Sequence, residues 1–237
     1  MITFPFFLNT WEEYQTGELY LPRIHGVSEG TLLIIAIEAT SGICGSSFWY
    51  QSITLFSFEI RYNLLVSLLS FVAGMFFGLM SLVNVLKNRH VDIYKALQDC
   101  MGYICLVGSY LSVIYFSNST IVKEKPKLLI ITYGFQFAKM LGLLQLAHIK
   151  NSAFKPLYFT TLFPIGMLSL HSIVYYVFEV ELLCEIDLLI IVFCIWNFIS
   201  WLHFVYFCSE EMCAILNIKR FSLGKRKNQR VPIQITN

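Results

Sequence analysis

Y-N-L-L-V-S-L-L-S-F-V-A-G-M-F-F-G-L-M-S-L-V-N-V-L, from Tyr62 to Leu86, contains no charged residue. An α-helix rises about 1.5 Å per residue, so roughly 20 such residues cross a hydrocarbon core of about 30 Å. The stretch therefore predicts a membrane-spanning helix. Segments of similar length and character predict further spans on either side, over Thr31–Trp49, Asp99–Ser117, Lys127–Ile149, Leu157–Phe178 and Leu183–Cys208. The expected fold class is all-α: a polytopic integral membrane helix bundle of about six transmembrane helices, each near the roughly 20-residue minimum. Met1–Leu8 is apolar but too short to span, and reads as the last turns of a preceding helix whose beginning is missing.

Composition agrees with this reading. The chain of 237 residues is 57% hydrophobic and 14% charged, with a mean hydropathy of +0.65. Soluble domains carry roughly 25% charged residues. The seven cysteines show no C-x-x-C spacing and lie mostly in apolar runs, where a thiol acts as a small hydrophobe. Neither a disulfide framework nor a zinc site is expected.

Lysines and arginines set the expected orientation, because they accumulate in cytosolic loops. Arg23, Lys87, Arg89, Lys95, Lys150, Lys155 and six residues of the tail fall on one side. Arg61, Lys123, Lys125 and Lys127 fall on the other, giving twelve against four. The first loop and the C-terminus are thus expected to be cytosolic. The chain divides into 1–30 (a helix end and an interfacial loop), 31–208 (the six spans) and 209–237 (an amphipathic and basic tail). In that tail Ser209-Glu210-Glu211 predicts the cap of a short helix, and the run Lys219–Arg230 a membrane-proximal basic anchor.

Several residues do not suit lipid. Lys139 lies near the centre of the fourth span, where a lysine costs about 2.5–3.5 kcal/mol on the insertion scale. It predicts a bundle-facing group, either functional or in an ion pair with Glu38 of the first span. His148 reads as a solvated cap on the opposite face. Pro164 is expected to kink the fifth span, and Gly74-x-x-x-Gly78 to admit a close helix neighbour. The sequon Asn118-Ser119-Thr120 falls on the non-cytosolic side and reads as a chance occurrence.

The most polar stretch before the tail is Thr10–Gly30, T-W-E-E-Y-Q-T-G-E-L-Y-L-P-R-I-H-G-V-S-E-G, with four glutamates. From local chemistry it is either a site or a solvated interfacial loop anchored by Trp11 and Tyr14.

W-E-E-Y-Q-T-G-E-L-Y-L-P (Trp11–Pro22) and V-S-E-G (Val27–Gly30) resemble the loop and helix entry of eukaryotic choline/ethanolamine phosphotransferases, of the CDP-alcohol phosphotransferase family. The likeness continues through G-F-Q-F-A-K-M-L-G-L-L-Q-L-A-H-I-K-N-S (Gly134–Ser152) and I-L-N-I-K-R-F-S-L (Ile215–Leu223), leaning toward the ethanolamine enzymes. The resemblance implies transfer of phosphoethanolamine or phosphocholine from its CDP carrier to diacylglycerol, with release of CMP. It implies Mg²⁺ or Mn²⁺ as cofactor, an endoplasmic reticulum or Golgi membrane as location, no nucleic-acid partner, and a homodimer among the assemblies it allows. It assigns Glu29 as the catalytic acid that deprotonates the diacylglycerol hydroxyl, where desolvation would bring its pKa toward the useful range. Trp11 and Tyr14 become candidates for the substrate entrance, although interfacial anchoring explains them equally well. Lys139 matches a lysine of some relatives.

The family's D-G-x-x-A-R-x8-G-x3-D-x3-D signature, which supplies metal and nucleotide carboxylates, is absent. The three aspartates are Asp92, Asp99 and Asp187, none followed by glycine. The chain is therefore expected to be the C-terminal part of such an enzyme, without metal ligands of its own and inactive alone. The alternatives are an inactive isoform or partner subunit, or an unrelated small transporter using Lys139 and Glu38.

Overall fold

The computed structural model describes residues 3–17, 26–55, 58–88, 91–117, 119–178 and 185–218. Among them, eight α-helices follow in order: α1 (Thr3–Thr16), α2 (Gly26–Cys44), α3 (Tyr62–Lys87), α4 (Ile93–Phe116), the short α5 (Thr120–Glu124), α6 (Pro126–Ile149), α7 (Phe159–Phe178) and α8 (Ile186–Leu216). A 3-10 turn (Ser46–Tyr50) and an antiparallel hairpin, β1 (Ser52–Leu55) with β2 (Phe58–Arg61), join α2 to α3. The chain is an all-α membrane helix bundle.

Each of the six predicted spans is helical. Four of the helices, α3, α4, α6 and α8, are long and apolar enough to cross a membrane; the apolar parts of α2 (Gly30–Cys44) and α7 (Leu162–Phe178) are shorter. The first span was expected to reach Trp49. It stops at Cys44 because Gly45 takes a φ of 79°, which leaves the helical region and starts the 3-10 turn. Large apolar side chains such as Leu68, Val72, Ile195 and Ile199 remain exposed, as lipid-facing groups do.

Helix ends follow local chemistry. Asp92 caps α4 by accepting from the Tyr94 amide at 3.1 Å, and Pro126 opens α6, where its missing N–H has no helical partner to lose. Asn217, with φ 52°, closes α8 as its amide and that of Ile218 return to Ala214 and Cys213. The short helix expected at Ser209 does not form. α8 runs through it unbroken, and the Ser209 hydroxyl donates back to the Tyr206 carbonyl at 2.8 Å.

The core gathers around α1, which packs mainly on α3 and also on α6, while α4 packs on α7 and α6 on α8. Gly78 makes the α1–α3 approach possible: a Cβ there would collide with the Phe4 ring and come within 3.1 Å of Leu8. This is the close contact expected of the Gly74-x-x-x-Gly78 pattern. Gly102 does the same for α4, where the Pro156 carbonyl occupies the space a Cβ would take.

The stretch after Leu8 was expected to be an interfacial loop. The structure continues α1 through Trp11 and Tyr14 to Thr16. Phe4, Phe7, Leu8 and Trp11 recur at helical spacing, so a single apolar stripe runs across the expected boundary. Phe7 stacks on Tyr103 with centroids 4.6 Å apart, and the Trp11 ring is fully buried. The helix ends at Gly17, whose φ of 75° lets its amide reach the Glu13 carbonyl at 2.9 Å.

At the other end of the bundle the Ser119 and Thr120 hydroxyls both donate to the Asp187 carboxylate, tying α5 to α8. The sequon's Asn118 lies outside the described residues.

Candidate functional site

The last two turns of α1 carry polar side chains in nearly every direction, and each meets a different element. Asn9 Oδ1 accepts from the Ser81 hydroxyl at 3.0 Å, and Glu12 Oε1 from the Asn84 amide at 2.9 Å, both on α3. Toward α4, Trp11 Nε1 donates to the Ala96 carbonyl at 3.0 Å and Gln15 Nε2 to Asp99 Oδ2 at 2.7 Å. Toward α6, Glu13 Oε1 lies 3.9 Å from His148 Nε2, an ion pair when the imidazole is protonated. The Tyr14 hydroxyl holds the loop after α6, donating to the Ser152 carbonyl at 3.2 Å and accepting from the Phe154 amide at 2.9 Å.

This polar layer exists because α1, α3 and α6 end, and α4 begins, at the same end of the bundle. Glu12 is 4% exposed, and a carboxylate so buried requires a donor such as Asn84. Against the layer lies a polar hollow of about 290 Å³ lined by Tyr14, Gln15, His148, Asn151 and Ser152. Its walls offer an imidazole, a phenol, amides and a hydroxyl, groups that can orient a polar ligand through hydrogen bonds.

Of the residues singled out from the sequence, Trp11 and Tyr14 belong to this layer. Trp11 sits inside the core and Tyr14 at the rim of the hollow. Glu29 lies in the first turn of α2, which contacts α1 and α3; its side chain falls outside the described residues. Lys139 stands apart in mid-span, its ammonium donating to Ser200 Oγ of α8 at 2.6 Å. Glu38 occupies an exposed position on α2. His148 was expected to be a solvated cap; it faces Glu13 instead. Glu12, Gln15 and Asp99 were not singled out, although the helical continuation of the Phe4–Trp11 stripe would have placed Glu12 and Gln15 beside it.

A divalent ion such as Mg²⁺ needs several oxygen ligands, usually with more than one carboxylate. Among the described residues no three His, Cys, Asp or Glu side chains come together in a metal-binding group. The Glu12 and Asp99 carboxylates each receive an amide N–H, a donor where a cation would need to sit. The described residues do not fit such an ion.

Helix content, spans and the polar end together define the class: a polytopic membrane protein with its polar chemistry at one end of an α-bundle. No protein-family model matches the chain. It is 26% identical over 253 aligned positions to an uncharacterised CDP-alcohol phosphatidyltransferase class-I family protein of Dictyostelium discoideum, covering 94% of this chain and 61% of the relative. It is 30% identical over 158 positions to choline/ethanolaminephosphotransferase 1 of Arabidopsis thaliana (61% of this chain, 41% of the relative). With ethanolaminephosphotransferase 1 of Mus musculus it shares 28% over 147 positions, covering 59% and 36%. The chain is thus similar in sequence to proteins named CDP-alcohol phosphatidyltransferases and choline/ethanolaminephosphotransferases. It spans about three-fifths or less of the length of these curated relatives.

Proposed function

We propose that this chain forms the diacylglycerol-side part of a CDP-alcohol phosphotransferase that makes phosphatidylethanolamine or phosphatidylcholine. The supporting observation is the polar layer: α1 gathers Glu12, Tyr14, Gln15 and His148 at one end of the bundle. A short connection then leads to α2, with Glu29 in its first turn. The homology supports the class of reaction.

In this reading the diacylglycerol hydroxyl oxygen attacks the phosphorus that carries the ethanolamine or choline. A new O–P bond forms, the bond to the CMP phosphoryl oxygen breaks, and CMP leaves. Glu29 takes the hydroxyl proton, the role of a positioned general base. The polar hollow beside Tyr14 and His148 orients the headgroup end of the donor. Trp11 supports this geometry from within the core, and Lys139 holds α6 against α8. The nucleotide and its Mg²⁺ or Mn²⁺ fall to carboxylates outside this chain, because its three aspartates lack the D-G-x-x-A-R pattern. The charge distribution supports an orientation with the polar layer and the C-terminus facing the cytosol, and the resemblance to choline/ethanolamine phosphotransferases supports an endoplasmic reticulum or Golgi membrane.

Two measurements test the reading. Microsomes from a host lacking its own transferases, expressing only this chain, should form no CDP-dependent product with Mg²⁺ or Mn²⁺; product formation would overturn the division of the site. Co-expression with a relative's segment bearing the D-G-x-x-A-R motif should restore transfer, and Glu29→Gln should abolish it while CDP-ethanolamine binding persists. Unchanged turnover in Glu29→Gln removes that residue from the mechanism.

A further inference from the structure

At the end of the bundle away from the polar layer, the connection between α2 and α3 meets the membrane boundary. The apolar part of α2, Gly30–Cys44, rises about 22 Å, short of a hydrocarbon core of about 30 Å. The 3-10 turn Ser46–Tyr50 can supply about 10 Å more, at roughly 2 Å per residue. Together they lead to Gln51, whose carbonyl accepts from the amide of Tyr62, the first residue of α3, at 3.1 Å. Aromatic groups mark this level. Phe48 stacks on Tyr62 with centroids 5.0 Å apart, Trp49 Nε1 donates to Ser41 Oγ at 2.8 Å, and Tyr50 is 68% exposed. Tryptophan and tyrosine concentrate where a membrane meets water.

The β1–β2 hairpin starts from this level and returns to it. Its register pairs Ser52 with Arg61 and Thr54 with Glu59, positions on one side of the ribbon. Ile53 pairs with Ile60 and Leu55 with Phe58, positions on the other side. One side is thus wholly polar in sequence and the other wholly apolar. Ser52, Thr54, Glu59 and Arg61 are exposed, while Ile53 and Ile60 are half-buried. Among the described residues, the hairpin's main helix contact is with α3, into which β2 runs directly.

A two-stranded hairpin with no further layer is marginal in water, so its apolar side needs cover. Immersion in hydrocarbon does not suit it either. With only two strands in the sheet, the outer edges of β1 and β2 carry N–H and C=O groups that hydrocarbon leaves without partners. The boundary between headgroups and acyl chains meets both needs, because it covers an apolar face and still hydrates backbone. Its phosphates also suit the guanidinium of Arg61 at the hairpin's base.

We infer that this hairpin is an interfacial membrane anchor, with its Ile53–Ile60 side seated in the headgroup–acyl boundary of a phospholipid leaflet and its Thr54–Glu59 side facing water. The apolar side is then continuous with the lipid-facing surface of α3, where Leu64 and Leu68 are 62% and 56% exposed. The anchor sets the depth at which α3 enters the bilayer, and it stands whether or not the chain takes part in transfer.

The test places one spin label at a time at positions 53, 54, 59 and 60 of the full chain in phosphatidylcholine nanodiscs. Attachment through an encoded ketone side chain leaves the seven cysteines native. Power saturation then compares access of oxygen, which partitions into lipid, with access of a water-soluble nickel chelate. Labels in place of Ile53 and Ile60 should favour oxygen, and those in place of Thr54 and Glu59 the chelate. A label in place of Tyr50, exposed on the 3-10 turn, should fall between the two pairs, and it reports depth even if a label at Ile53 disturbs the hairpin. Four hairpin labels that all favour the chelate would stand the hairpin in water and overturn the inference. So would four that all favour oxygen, or a Tyr50 label as open to the chelate as the Thr54 label. Shielding of positions 53 and 60 from both reagents overturns it as well, since a second copy or another protein would then cover that side.

Discussion

Trp11 Nε1 donates to the Ala96 carbonyl at 3.0 Å, joining α1 to the first turn of α4 with the indole fully buried. The Ala96 amide donates to the Asp92 carbonyl at 2.9 Å, and the indole takes a lone pair of the Ala96 carbonyl near the start of α4. Trp11 is accordingly the anchor of the polar layer, and its neighbours Glu12, Tyr14 and Gln15 inherit their positions from it.

Trp11→Phe should keep most of the packing and lose this bond, lowering stability by about 1 kcal/mol. Trp11→Ala should cost about 3–5 kcal/mol through the cavity it leaves. Thermal unfolding in detergent, followed by size-exclusion chromatography, measures both. Equal effects of the two substitutions would show that packing contributes nothing at this site.

Glu12→Ala leaves the Asn84 amide without its acceptor in a buried place, a loss of about 1–3 kcal/mol. The double substitution Glu12→Ala with Asn84→Ala should be less than additive, because the partners are removed together. Additivity in the same unfolding assay would mean that the 2.9 Å contact carries no coupling.

Gly78→Leu should separate α1 from α3, since even a Cβ at that position meets the Phe4 ring. Overpacking of this kind costs about 1–3 kcal/mol. A spin-label or fluorescence distance between Asn9 and Ser81 should lengthen; an unchanged distance would mean Phe4 swings aside freely.

Lys139→Met removes a charge from the middle of a span. On the insertion scale α6 should gain about 2.5 kcal/mol of membrane preference, read by a glycosylation-based insertion assay. Ser200→Ala should leave insertion of α6 unchanged and loosen its contact with α8, measured by cross-linking between the two helices. An insertion change in Ser200→Ala would show that the pair already forms at the insertion step.

The helical continuation of α1 was legible in part. Phe4, Phe7, Leu8 and Trp11 repeat at helical spacing, but the charges from Glu12 onward mask the stripe when polarity alone sets the boundary. α8 shows the same effect at Ser209–Glu211, where a cap-like sequence sits inside a helix already propagating from Ile186. His148 was legible as a boundary residue. Its facing of Glu13 was not, because the pair joins two helices far apart in the chain.

The sequence by itself determined that this is an all-α membrane protein and where its six apolar helices lie, four of them long enough to cross a membrane, and it allowed for a close neighbour at Gly78. These properties are local: hydrocarbon length, helical rise and side-chain size operate within one segment. Only the tertiary structure decided that Glu12 is buried against Asn84, that Tyr14 clasps the loop at Ser152 and Phe154, and that Lys139 reaches Ser200. Those contacts depend on which helix faces which, and in a membrane that choice follows interhelical packing and hydrogen bonding rather than hydropathy. The stretch Tyr62–Leu86 settles that a helix crosses the bilayer, and the placement of α1 on Gly78 settles which polar groups that helix meets.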